Sequence, residues 1–145
     1  MSEHASVCQF SEGLVTLPEG YQDRTVNAFV APAAGAPSFN ITRDVLKPDE
    51  TLAAYIDRQI ALMEKHLKGW KQIERIAVML GENLLQGERV HASYLREGKR
   101  ISQQQAVFIT GDAHILVFTM SSAVNLTDAD NRLFEDLLRS FRGHA

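Results

Sequence analysis

The 145-residue chain carries one cysteine, Cys8, and so cannot close an internal disulfide. Its first ten residues, MSEHASVCQF, have neither the basic n-region nor the apolar h-region of a secretion signal. Together these two absences point to a reducing, cytoplasmic setting. Apolar runs are short: ILVF at 115–118 falls far below the ~20 residues a membrane helix needs, so no direct membrane insertion is expected. A surplus of positive charge is missing too. Fifteen Lys and Arg against eighteen Asp and Glu give a formal net charge of -3, which offers little to nucleic-acid phosphates or anionic lipid.

Catalytic and metal motifs are equally scarce. HExxH, GxSxG, GxGxxG and GxxxxGK[ST] do not occur, and the five histidines, His4, His66, His91, His114 and His144, offer no metal-binding pair on one helix face. Neither a metal nor a cofactor is expected. Cys8 has no recognisable orienting base beside it and reads as a small hydrophobe. The acidic pairs Glu88 with Glu97 and Asp128 with Asp130 suit solvated loops and a helix N-terminus. Trp70 and Tyr94 are able to stack a ligand, but a tryptophan just after a helix end more commonly caps a core. The expectation is a protein that is not an enzyme.

What is present is a chain with 45% hydrophobic residues and no repeat or low-complexity tract, enough for one globular domain over 1–145. Strand signals bounded by turn residues run through VCQF, GLVTL, TVNAFVAP and SFNITRDV, with PAAGAP at 32–37 as a loop between the last two. A helix is expected to open near Pro48–Thr51 and close before Gly69, with Leu52, Ile56, Ile60, Met63 and Leu67 on one face. A second antiparallel block follows: WKQIERIAVML, NLLQGERVHASYLR, RISQQQAVFI and HILVFTMSSAV. The chain ends in a helix capped by Thr127 and Asp130, with Leu133, Phe134, Leu137, Leu138 and Phe141 as its stripe. This order predicts an α+β fold, a curved antiparallel β-sheet packed against a long central helix and a C-terminal helix.

The stretch QQQ at 103–105 poses the functional question, because amides then occupy both faces of one strand. Parity puts Ile101, Gln103, Gln105 and Val107 on one face and Ser102, Gln104, Ala106 and Phe108 on the other. The same alternation separates Phe29, Phe39 and Ile41, candidates for a helix-covered core, from a second set: Val26, Ala28, Ser38, Asn40 and Thr42. That second face mixes short apolar groups, hydroxyls and amides. A core face excludes unpaired amides at about 1–3 kcal/mol each, and a merely solvated face carries more Lys and Glu. Such a surface suits docking of a largely apolar polypeptide; an ordinary exposed face with polar decoration is the plainer alternative. Gln104, on the opposite side, is expected to be satisfied near the sheet edge.

Four blocks, YQDRTVNAFVAP, SFNITRD, AAYIDRQ and YLREGKRISQQQ, spaced over nearly the whole chain, resemble the Eag chaperones, effector-associated proteins of bacterial type VI secretion within the wider DcrB-like family. The resemblance implies a PsbP-like fold and a cytoplasmic homodimer. It implies a role in gripping hydrophobic, membrane-destined N-terminal segments of an effector and aiding its loading onto the secreted spike. Residue by residue, it implies effector-binding roles for Val26, Ala28, Ser38, Asn40, Thr42, Gln59, Leu67, Ile101 and Gln105; Gln103 joins them from face parity alone. Ala28 is smaller than the branched residue an apolar groove favours, and Asn40 is polar where a relative is aliphatic. Two other readings stand beside this one: a carrier of a small apolar ligand or lipid, and a structural adaptor for a soluble protein.

Overall fold

The computed structural model describes residues 6–31 and 33–143. His4, His144 and Pro32 of the PAAGAP loop lie outside the described residues. The glutamine run sits in β7 (Lys99–Ile109), an interior strand flanked by β6 (Leu85–Arg96) and β8 (His114–Ser122). The six-stranded antiparallel sheet continues to β4 (Ser38–Val45) and β3 (Asn27–Phe29) on one side and to β5 (Lys68–Leu80) on the other. The two strand blocks of the sequence are therefore one sheet, because β4 pairs with β8 along its whole length. β1 (Val7–Phe10) and β2 (Gly13–Thr16) form a separate hairpin rather than joining the first block. TVNAFVAP yields only three residues of strand, which leaves Val26 in the preceding loop, 58% exposed.

Helix α1 (Leu52–His66) starts at Thr51, whose hydroxyl accepts from the Ala54 amide. The acidic residues before it are not in the first turn; Asp49 takes a positive φ in the loop instead. Helix α2 (Asp128–Arg139) opens on the capping box expected of Thr127 and Asp130, with each side chain bonded to the other's backbone amide.

The helices pack on opposite faces of the sheet, so both faces contribute to the core. Under α1, Tyr55, Ile56 and Ile60 pack with Val90, Val107, Ile115 and Val117. Under α2, Phe134 and Leu138 pack with Leu80, Ala106, Phe108, Phe118 and Met120. Phe39 and Ile41 join the α2 side as expected, with the Phe39 ring stacked on Phe134 at 6.2 Å. Phe29, from the short edge strand, is 48% exposed instead, and Leu133 is half exposed on the outer flank of α2. Trp70, in β5, packs against the α1 cluster. Gly87 lets β6 and β7 come together: a Cβ there would stand 2.1 Å from the Val107 carbonyl oxygen.

Candidate functional site: the sheet face beside the first helix

Directly paired residues of an antiparallel sheet share a face, so the register assigns every candidate. One row reads Ala28, Asn40, Thr119, Gln105, Val90; the next reads Ser38, Ser121, Gln103, Ala92; a third reads Thr42, Val117, Val107, Glu88. All three lie on the α1 side. Ala28, Ser38, Asn40, Thr42, Gln103 and Gln105 are therefore cofacial, and Ile101, two residues from Gln103, joins them. Helix α1 crosses β5 and β7 and leaves the β3–β4 flank of this face open.

Where α1 meets that flank there is a cleft of about 170 Å³, lined by Thr42, Asp44, Tyr55, Gln59, Met63 and Gln105 among others. Three predicted residues, Thr42, Gln59 and Gln105, thus come together from β4, α1 and β7. Ser38 and Ile101 line a second shallow hollow with Tyr94, Arg96 and Ser121 at the far end of the same face. Ala28 and Asn40 sit in the row running through Thr119 and Gln105, on the flank α1 leaves open. The remaining three are placed differently. Val26 stands apart on its loop. Leu67 caps the C-terminus of α1, its amide bonded to the Met63 carbonyl. Gln103 is buried, 7% exposed, and donates to the Met63 sulfur at 3.6 Å. Ile101 is buried as well.

The three glutamines have three environments. Gln105 is half-buried, and its amide donates to the Thr119 hydroxyl at 3.4 Å, a long bond that water or another acceptor can replace. Gln103 is held by a weak sulfur acceptor under α1. Gln104 is on the α2 face as parity requires, but it is not near the sheet edge. It is 2% exposed at the centre of the sheet, and its amide donates to the Asn131 carbonyl oxygen of α2, while its own carbonyl oxygen has no partner among the described residues. The edge expectation fails because β7 is interior, so the partner has to come from a helix rather than from solvent.

Charged groups fix the wall of the site. Arg75 of β5 donates to Glu88 at 2.6 Å, to Asp57 of α1 at 2.5 Å and to the Ala53 carbonyl at 3.2 Å, tying α1 to the sheet. At the cleft's end the Tyr55 hydroxyl donates to Asp44 at 2.7 Å, and Arg24 reaches the same carboxylate at 3.2 Å. Burial, then the Asp44 carboxylate, pushes the Tyr55 hydroxyl far above its ordinary value, so it stays protonated and has no capacity as a base at neutral pH. Arg58 lies 5.2 Å over the Tyr55 ring and forms a two-point pair with Glu50 at 2.8 and 2.9 Å. No group of three His, Cys, Asp or Glu side chains among the described residues is placed to hold a metal ion. Chemically, this surface presents short apolar groups interspersed with hydroxyl and amide partners.

Tyr55, Asp44 and Thr119 were not among the residues singled out from the sequence, and Met63 entered only as part of the apolar stripe of α1. Thr119 was reachable, since parity from His114 places it on the α1 face once β8 is known to neighbour both β4 and β7. Tyr55 stands beside the five-residue stripe of α1, one position before Ile56, and only the structure shows that it is turned inward.

Comparisons with known proteins agree with this architecture. The family model DcrB matches residues 12–140. A Pseudomonas aeruginosa PAO1 protein named effector EagT6 is 31% identical over 120 residues, covering 77% of each chain. The crystal structure of PA94 from Pseudomonas aeruginosa, reported as a protein of unknown function and putative regulator, superposes with a TM-score of 0.75 at 23% identity over 98% of this chain and 99% of that one. CyanoP, the PsbP protein of Synechocystis sp. PCC 6803, gives a TM-score of 0.52 at 15% identity over 94% and 91%. These two structures establish a shared PsbP-like α+β fold. The extent of the family match and the identity to EagT6 together show that the chain belongs to the DcrB family.

Proposed function

We propose that this protein is a chaperone of bacterial type VI secretion. In the cytoplasm it binds the hydrophobic N-terminal, transmembrane-type segments of a cognate effector, shields them from water and aids loading of the effector onto the secreted spike. The observation that carries the reading is the strip of sheet beside α1. Ala28, Ser38, Asn40, Thr42 and Gln105 share one face, with Gln59 of α1 lining the cleft beside Thr42 and Gln105, in a chain related to a protein named for an effector. The chaperone acts without catalysis. A membrane-type helix is rich in small residues and hydroxyls, and the hydroxyl and amide groups of this strip replace the water such a helix loses.

Magnitudes favour two protomers per guest. A helix burying roughly 400 Å² of apolar surface on one protomer gains about 10 kcal/mol gross. Association costs about 4–15 kcal/mol, so one face alone holds the guest marginally. A homodimer that covers two flanks roughly doubles the gain, and this is the assembly we assign. The 170 Å³ cleft beside α1 is smaller than the ~300–1,000 Å³ of ordinary small-molecule pockets, which speaks against a lipid held at this site.

The test is co-expression of the chain with the apolar N-terminal segment of the effector encoded beside it, followed by mass determination of the soluble complex. The reading expects co-elution with two chaperone chains, reduced by Gln105→Ala. A well-folded wild-type chain that neither retains nor solubilises the segment overturns it.

A further inference from the structure

The strip beside α1 has two chemically different ends. From Ser38 to Asp44 along β4 it runs about 20 Å at ~3.3 Å per residue, the length of roughly 13 residues of helix. At the Ser38 end, the shallow hollow is lined by Ser38, Ser121, Tyr94 and Arg96, and every polar side chain in its wall is able to donate a hydrogen bond. None is a carboxylate. Ser38, Ser121 and Tyr94 are half-buried and Arg96 is exposed, so the hollow is open to a guest. The two serine hydroxyls stand 3.2 Å apart, so one proton serves that bond and the other is free. Lys99 is paired with Arg96 in the β6–β7 hairpin, and neither is in an ion pair among the described residues.

The other end is built around acceptors. The cleft there has the Asp44 carboxylate in its wall, with the amide oxygens of Gln59 and Gln105 beside it. Arg43 lines the same cleft but is engaged by the Thr25 carbonyl oxygen and the Asn27 side chain. A helix makes opposite demands at its two ends: its last four carbonyls lack donors and carry partial negative charge, and its first four amides lack acceptors and carry partial positive charge.

We infer that the strip holds a guest helix in one direction, its C-terminal turn in the hollow at Ser38, Tyr94 and Arg96 and its N-terminal turn toward Asp44. This rests on the guest reading of the strip given above. The effector chain downstream of the helix then leaves beside the β6–β7 turn. Helix α1 points the same way, from Tyr55 beside Asp44 to Met63 beside Gln103. Parallel helix dipoles repel, but the effect falls off within the last turn, where α1 already carries Lys65 and His66. The donors of the hollow touch the guest's end directly and decide the direction.

The probe is the apolar N-terminal segment of the effector encoded beside the chain, co-expressed with full-length protein carrying a photo-crosslinking amino acid at Tyr94 or, separately, at Thr42. Mass spectrometry locates each attachment point. Crosslinks are expected from Tyr94 to the C-terminal half of the segment and from Thr42 to its N-terminal half. Lys99→Glu should lower retention of the segment about threefold at low salt, while Arg132→Glu, the same charge change on α2, leaves it unchanged, with circular dichroism showing both variants folded. The reverse order of crosslinks, or both positions reaching both halves equally, overturns the direction and leaves the guest reading standing. Unchanged retention in Lys99→Glu, or an equal loss in Arg132→Glu, overturns the role of the hollow. No crosslink from either position overturns the guest reading and this inference with it.

Discussion

Gln104 offers a perturbation whose size is bounded by opposing terms of known magnitude. Its amide donates to Asn131, while its carbonyl oxygen is buried without a partner. Replacing it by methionine keeps the volume nearly constant, which limits packing cost to under about 1.5 kcal/mol. The change loses one hydrogen bond, about 0.5–1.5 kcal/mol, and removes an unpaired buried oxygen that costs about 1–3 kcal/mol. Asn131 is half-buried and regains water at the rim of α2. Gln104→Met is therefore expected to lie within about 1 kcal/mol of wild type, a change in Tm of no more than about 3 °C for a domain of this size. Gln104→Ala makes the same polar change but lacks the three outer heavy atoms of methionine and leaves a cavity, so it should lie about 2–5 kcal/mol below the methionine variant. Urea unfolding followed by circular dichroism measures both, with unchanged m-values confirming that the denatured state is the same. A methionine variant destabilised by more than about 1.5 kcal/mol refutes the reasoning, because it would mean that the carbonyl oxygen has a partner.

Three further outcomes follow from the structure. Gly87→Ala should destabilise by about 3 kcal/mol or more, since its Cβ would meet the backbone carbonyl of Val107 and the Phe108 ring; a thermal melt within a degree of wild type would contradict the close approach of β6 and β7. Phe134→Ala removes a fully buried ring stacked on Phe39 and should cost about 3–5 kcal/mol, read by the same urea titration; a loss below 1 kcal/mol would show that α2 is not seated on the sheet. The Arg58 guanidinium, then the Lys47 amide, hold the Glu50 carboxyl down from 4.5 to about 2. A depressed acid contributes stability above its unfolded value that is lost as pH falls through its folded one. Stability should thus decline between about pH 4.5 and pH 2, and Glu50→Gln should flatten that part of the profile; identical acid profiles for the two proteins would exclude the pair as a source.

Most of the fold was legible because its signals are local. SFNITRDV became β4 residue for residue, and the Thr127–Asp130 capping box formed as spelled. The faces were legible too, since alternation along a strand survives whatever pairs with it: Ser38, Asn40, Thr42, Gln103 and Gln105 fall on one side as parity requires. What parity cannot supply is the order of strands. That order decides that β7 is interior, which is why Gln104 bonds to α2 and not to solvent at an edge. Nor does periodicity reveal how far α1 reaches across the sheet, so the burial of Ile101 and Gln103 and the openness of Asn40 and Thr42 emerge only from packing. Tyr55 and Asp44 meet across eleven residues of sequence through a phenol–carboxylate bond that no motif announces.

The central claim is that an apolar guest lies on the β3–β4 flank of the sheet beside α1. A photo-crosslinking amino acid placed singly at Asn40, at Thr42 and, on the opposite face, at Leu133 tests it directly when the chain is co-expressed with the effector's N-terminal segment. Crosslinks to the segment are expected from Asn40 and Thr42 and none from Leu133. Crosslinks from Leu133 with none from Asn40 or Thr42 would place the guest on the other side of the sheet and contradict it.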